Sequence, residues 1–234
     1  MPLCSHYICI TLLSPAPDQV LFGSGLLTPA IQCVSTALLS GAVPSDWMRR
    51  WDGGPDKPQA WLRELVRKRI ALQKWRSAVV KGTLLSEPLM LGDLFNPATF
   101  INALRQQTAR KLGAAIDTVK MVCSWDKDWR KLDANCPLPV VLTGLFLQGA
   151  SFHSGSLQDS APEASEMAIA PNVCIGFVTL DSKEPYSRGA AIGIPAYLTP
   201  TREEFLMELK MPTDSANESK WVLAGVALFL TEDE

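Results

Sequence analysis

The chain has 234 residues, 47% of them apolar and 20% charged, with a formal net charge of −2. That composition supports a globular core and excludes an intrinsically disordered chain. It also gives no global electrostatic footprint for nucleic acid or an anionic membrane. There is no apolar run of about 18 residues, the length that spans a bilayer.

The start, Met1 to Val20, has an apolar stretch from Tyr7 to Leu13 but no Lys or Arg before it. It makes a poor signal peptide and is left unassigned. Helical punctuation then begins. Thr28 and Pro29 read as an N-cap with proline at the first helical position. Ile31, Val34, Leu38 and Leu39 follow at helical spacing, and Gly41 stops the run. Pro44 opens a short turn of helix through Trp47. Gly53, Gly54 and Pro55 form a loop.

Pro58 opens the longest helix, to about Val80. Trp61, Leu65, Leu72, Trp75 and Val79 supply its buried stripe, and Leu62, Val66 and Ile70 widen that stripe. Arg63, Glu64, Arg67, Lys68 and Lys74 are expected to be solvated. Gly82 ends the helix. Asn96 and Pro97 start another, with Phe100, Leu104, Thr108 and Leu112 as its buried line and Gly113 as its C′ residue. Arg105, Gln106, Gln107 and Arg110 face elsewhere.

Near Ile116 the period changes to that of half-buried strands. Six are expected: Val119 to Trp125, Val140 to Gln148, Val173 to Leu180, Ala190 to Leu198, Phe205 to Met211 and Trp221 to Leu230. Turn-forming clusters separate them, and Ser154 to Pro171 reads as a long exposed loop. Strands without intervening helices predict antiparallel pairing and closure toward a barrel or sandwich.

No catalytic or metal constellation emerges. The six cysteines, Cys4, Cys9, Cys33, Cys123, Cys136 and Cys174, form no C-x-x-C pair and read as reduced thiols, Cys123 and Cys174 as small core residues. Only His6 and His153 are present. Ser151 and His153 are close in sequence, but a hydrolase needs a nucleophile elbow and an orienting acid, and both are missing. Gly23-Ser24-Gly25 lacks the Lys-Ser/Thr of a phosphate loop. Asp126, Asp128 and Asp133 lack the glycine and closing glutamate of a calcium loop. The tryptophans, among them Trp47, Trp61 and Trp75 on helices and Trp125 and Trp221 on strands, are expected in the core.

Several segments together resemble the C-terminal domain of dynein heavy chains. They are Leu27-Thr28-Pro29, Val43-Pro44-Ser45-Asp46-Trp47, Trp61-Leu62 with Trp75, and Leu94-Phe95-Asn96-Pro97-Ala98-Thr99-Phe100. Asn102-Ala103-Leu104-Arg105-Gln106-Gln107-Thr108-Ala109-Arg110 continues the last of these. Leu145 to Phe152, Ile194-Pro195-Ala196-Tyr197 with Arg202, and Gly225-Val226-Ala227-Leu228-Phe229-Leu230 complete the series. The resemblance runs from Leu21 to Leu230. Trp51 to Asp56, Leu84-Leu85-Ser86-Glu87 and Pro185-Tyr186-Ser187 lean toward the cytoplasmic dynein class of retrograde intraflagellar transport.

The resemblance implies an α+β fold: an N-terminal helical subdomain over 21–115, then a small antiparallel six-stranded β-barrel over 116–234, with 1–20 unassigned. It implies a non-catalytic region that packs on the AAA+ ring of its own heavy chain and modulates a minus-end-directed motor. Arg105, Gln106 and Arg110 and the exposed side of the Trp61-to-Val79 helix are the expected ring contacts. ATP, Mg and microtubule contact would belong to the parent motor, as would the intermediate and light intermediate chains. No cofactor, nucleic acid or membrane is expected for the fragment itself. Its expected location is the cytoplasm and cytoskeleton and the axoneme of a cilium or flagellum. The alternative is a stand-alone β-barrel module that binds a peptide or lipid.

Overall fold

The computed structural model describes residues 28–51, 54–125, 136–159, 167–182, 190–213 and 218–231. The Met1–Val20 start with His6, Gly23-Ser24-Gly25, Asp126, Asp128, Asp133 and Pro185-Tyr186-Ser187 lie outside those residues, as do Asp52 and Gly53. Two compact units divide between Glu64 and Leu65.

The first unit is helical. In α1 (Pro29–Leu39) the Thr28 hydroxyl accepts the Ile31 amide at 3.3 Å, and Pro29 takes the first helical position. Gly41, at φ +76°, turns the chain away. Yet no residue of α1 is buried, and Leu39 is 90% exposed, so the expected inner stripe is open. The unit's core is aromatic instead. Trp61, at the start of α3 (Pro58–Lys81), stacks on Trp47 of α2 (Ser45–Met48) with centroids 4.9 Å apart, and Trp51 tilts against it at 5.3 Å. A Cβ on Gly54 would sit 3.1 Å from the Trp51 ring, so the loop there approaches as closely as glycine allows.

The second unit takes the rest of α3 and everything after it. A 3-10 turn (Leu84–Ser86), β1 (Leu89–Met90) and a second 3-10 turn (Leu91–Asp93) lead into α4 (Pro97–Leu112). Gly113, at φ +64°, ends α4 in the left-handed conformation that favours glycine. At the other end Asn96 occupies the N-cap position without a side-chain capping bond. Leu104 and Thr108 are buried and Phe100 is half-buried, but Leu112 is exposed. α4 lies against β2 (Val119–Ser124) and β8 (Val173–Thr179).

The strands do not close a barrel. Among the described residues there are eleven, in two open sheets. The four-stranded sheet runs β1-β3-β8-β2, with β3 at Val140–Thr143. The seven-stranded sheet runs β5-β6-β10-β9-β11-β4-β7. Its members are β4 (Phe146–Gln148), β5 (Ala150–His153), β6 (Ser156–Asp159), β7 (Ala168–Ile169), β9 (Ala190–Tyr197), β10 (Phe205–Thr213) and β11 (Ala227–Phe229). Pairing is mixed: β1 with β3, β6 with β10 and β9 with β11 run parallel.

The run Val140 to Gln148, expected as one strand, breaks at Gly144, which adopts φ +72°. That break sends β3 into one sheet and β4 into the other, so two layers form instead of one closing ladder. The expected loop after Ser154 holds β6 and β7. The expected last strand begins as a helix, α5 (Glu218–Leu223), which carries Trp221. Gly225 at φ +65° ends the turn after it, and only three residues then form β11.

The two sheets share one core, in which Val140, Leu142, Val173, Ile175, Leu209, Met211 and Leu228 are fully covered. Burying each such side chain contributes about 1.5–3 kcal/mol. Polar bonds also join the layers. The Trp125 indole N–H donates to the Lys210 carbonyl at 2.7 Å, and the Cys123 thiol reaches the same oxygen at 3.2 Å.

Candidate docking surface

The three polar residues singled out on α4 do not act alike. Arg105 is half-buried, and its Nε donates to the Ile116 carbonyl at 3.1 Å. That bond ties the helix to the 3-10 turn Ile116–Thr118, which feeds β2. Gln106 and Arg110 are exposed and lie one turn apart on a single face. Arg110 sits in the last turn of α4, where the helix dipole favours a cation. The opposite side carries Leu104 and Thr108, whose buried hydroxyl has no hydrogen-bond partner among the described residues.

α3 differs from expectation on two faces. Leu62, Val66 and Ile70 do not widen the core stripe: they are 40%, 57% and 52% exposed, and Val79 and Val80 are exposed as well. The helix therefore presents apolar residues to solvent between Arg63, Arg67, Arg69 and Arg76. Lys68, in contrast, is not solvated. It is 4% exposed, and its ammonium donates to the Leu94 carbonyl at 2.8 Å and to the Gly92 carbonyl. Trp75 joins α3 to α4, meeting Phe100 edge-on at 5.5 Å.

Ser151 and His153 do not form a nucleophile pair. They lie on the edge strand β5, where the Ser151 hydroxyl donates to the Asp159 carbonyl at 3.2 Å and His153 is exposed. Among the described residues no cluster of His, Cys, Asp or Glu could hold a metal ion. None of the described helices is long and apolar enough to cross a membrane. Of the cysteines singled out, Cys136 and Cys174 are buried and Cys123 is half-buried.

A family model of the C-terminal domain of the dynein heavy chain matches residues 16–230. The protein belongs to that family. Cytoplasmic dynein 2 heavy chain 1 of Homo sapiens is 34% identical to it over 215 residues, which is 92% of this sequence and 5% of the relative. The protein of the same name from Chlamydomonas reinhardtii is 33% identical over 222 residues, 91% of this sequence and 5% of the relative. A ciliary dynein beta chain of Heliocidaris crassispina is 26% identical over 214 residues, again 91% and 5%. The sequence thus spans about one twentieth of the length of the relatives it matches. The motifs read in order along it belong to this dynein C-terminal domain, and its likeness to cytoplasmic dynein 2 exceeds its likeness to the ciliary beta chain.

The exposure of the apolar residues on α1 and α3 escapes sequence reading because each helix has a plausible inner face at helical spacing. What covers a helix face depends on residues far away in sequence, and periodicity does not supply it.

Proposed function

We propose that this region packs on the AAA+ ring of its own dynein heavy chain and modulates the minus-end-directed motor, in retrograde intraflagellar transport. The region itself carries out no catalysis and needs no cofactor. ATP and Mg act in the ring modules of the parent heavy chain, and microtubule contact belongs to the parent as well. The intermediate and light intermediate chains join through the parent complex, and the setting is the cytoplasm and the axoneme.

The observation that carries this reading is the apolar surface left open on the outer face of α3, where Val66 and Ile70 lie one turn apart and more than half exposed beside arginines. Leu39 on α1 and Val80 at the end of α3 are exposed as well. Val66, Ile70 and Val80 are exposed along α3, and apolar side chains left uncovered on one helix support a contact with another body. Gln106 and Arg110 add donors on α4 that no described residue engages. A region docked in this way shifts the ring between its states only by the difference in contact free energy that it makes in each. The purified protein should co-elute with a fragment of its ring. In the full heavy chain, Arg110→Glu should change velocity or processivity, and motor behaviour identical to wild type would remove Arg110 from the interface.

A further inference from the structure

The two faces of the seven-stranded sheet meet different surroundings. Leu147, Ala196 and Leu228 lie in the shared core. Their chain neighbours Phe146, Tyr197 and Phe229 point to the other face, because successive strand residues alternate. Register sets these three in one row: Phe205 opposes Tyr197, Tyr197 opposes Phe229, Phe229 opposes Phe146, and Phe146 opposes Ile169. The row is covered at Phe229 and open at Phe205, which is 61% exposed. The Phe205 ring meets half-buried Tyr197 edge-on at 6.0 Å.

The charge at that open end is one-sided. Residues 199–204 form the turn beside Phe205, closed by the Leu198 amide donating to the Glu204 carbonyl at 3.1 Å. Glu203 and Glu204 are exposed in it, and Glu203 makes no bond within the described residues. The one cation of the turn, Arg202, lies over Phe229 and is already bonded to the Gly225 carbonyl and Gln148. The Thr231 hydroxyl donates to the Leu198 carbonyl at 3.3 Å, and the sequence continues from it with Glu232, Asp233 and Glu234. Three residues of chain reach no further than roughly 10 Å, so these acids add to the same side.

An exposed aromatic pair among carboxylates repels phosphate-bearing surfaces. It attracts a cation, which the ring faces favour as well. The area is small. One exposed and one half-buried ring fall far below the roughly 800 Å² per partner of a stable contact between separate proteins. A tethered partner needs no such area, since the tether supplies a local concentration of about millimolar order. This sequence covers 5% of the heavy chains it matches, so nearly all of such a chain lies outside it.

We infer that Phe205 and Glu203 receive a basic segment of the parent heavy chain, with an Arg or Lys stem across the Phe205 and Tyr197 rings and its charge paired with Glu203. The inference rests on the packing proposed above. It adds a contact opposite in charge to that at α3, where Arg63, Arg67, Arg69 and Arg76 stand among the apolar residues. Contacts of opposite sign fix which way round the region docks.

The test is hydroxyl-radical footprinting of Phe205 in the isolated 234-residue protein and in the full heavy chain purified without other subunits. In the full chain Phe205 should be oxidised at least about fivefold more slowly, because the centre of a docked surface is fully covered. Glu203→Lys in the full chain should restore most of the exposure, and Glu203→Asp should keep the protection. Raising the salt concentration should weaken the protection. Ile70 on α3 is read in the same experiment. Protection of Ile70 with Phe205 left exposed overturns this inference alone, whereas exposure of both removes the packing on which it rests. Protection of Phe205 that Glu203→Lys leaves unchanged overturns it too. Protection that appears only when other subunits are added assigns the surface to a separate protein and also overturns it.

Discussion

The ammonium of Lys68 donates to the carbonyl of Leu94 at 2.8 Å, across a gap of 26 residues. It also donates to Gly92, and the Phe95 ring lies beneath it with its centroid 5.9 Å away. A buried cation is tolerated only when its donors are met, and here two carbonyls and an aromatic face meet them. In return Lys68 satisfies carbonyls of the turn that joins β1 to α4. Lys68→Met keeps the aliphatic stem, removes every donor, and strands both oxygens. It should lower stability by about 2–4 kcal/mol. Urea unfolding of the purified protein measures this directly, and a loss under about 1 kcal/mol would mean that water replaces the ammonium.

Gly92 sits under a second constraint. A Cβ there would lie 2.9 Å from the Leu230 carbonyl, while the Leu230 amide already donates to the Tyr197 carbonyl at 3.2 Å. Two effects oppose each other in Gly92→Ala. Loss of unfolded-chain entropy would stabilise by about 0.4–1 kcal/mol, and overpacking against fixed backbone costs about 1–3 kcal/mol. The overpacking term wins because backbone, unlike a flexible side-chain end, cannot swing away. The variant should melt at a lower temperature than the wild type in a thermal scan. A higher melting temperature would show that the close approach relaxes freely.

Arg202 joins the turn after β9 to the closing strand. Its guanidinium donates to the Gly225 carbonyl at 2.7 Å and to Gln148 Oε1 at 2.9 Å, and lies 5.7 Å from the Phe229 ring centroid. It does so from φ +61°, a conformation that costs a non-glycine residue about 1–2 kcal/mol. Two variants separate the terms. Arg202→Ala keeps the strained backbone and loses the clamp, at a cost of about 1–2 kcal/mol for exposed charge-assisted bonds. Arg202→Gly loses the clamp but releases the strain, so it should be the more stable of the two by about 1 kcal/mol. Amide exchange in Ala227–Phe229 should quicken in both, since β11 is only three residues long. Equal stability of the two variants would place no strain at this residue.

Local signals are legible in the sequence because they act over a few residues. The Thr28 cap, Pro29, and the left-handed Gly41, Gly82 and Gly113 bound their helices as expected. Burial is legible only where the far side of an element is fixed by the fold. Lys68 looks like its neighbours Arg67 and Arg69 on a basic helix, yet its environment is set by carbonyls more than twenty residues later. Barrel closure fails for a similar reason. Six apolar runs are visible, but Gly144 parts one of them between two sheets, and glycine in a strand does not announce which sheet follows. Trp221 reads as a strand residue because its run is apolar, although it lies in a helix that closes against Gly225. For the candidate surface, the sequence marks Arg105, Gln106 and Arg110 as one set. The structure separates Arg105, which bonds to the Ile116 carbonyl, from the two that face solvent.

The apolar face of α3 leads to a prediction whose two halves have opposite signs. Val66 and Ile70 are more than half exposed, so exchanging each for Ser removes little buried area. Surface substitutions of this kind change stability by within about 0.5 kcal/mol, apart from the small helix-propensity loss on introducing Ser. The isolated protein with Val66→Ser and Ile70→Ser should therefore unfold at nearly the same urea concentration as the wild type. A docked face behaves differently, because each apolar side chain covered there contributes about 1.5–3 kcal/mol to association. The double variant should bind a ring fragment at least about tenfold more weakly, an effect that each 1.4 kcal/mol of lost contact produces. Unchanged binding with unchanged stability would mean that these side chains face water in the assembled motor too. A large loss of stability in the isolated protein would mean that they are covered within it. Either outcome removes the outer face of α3 from the docking surface.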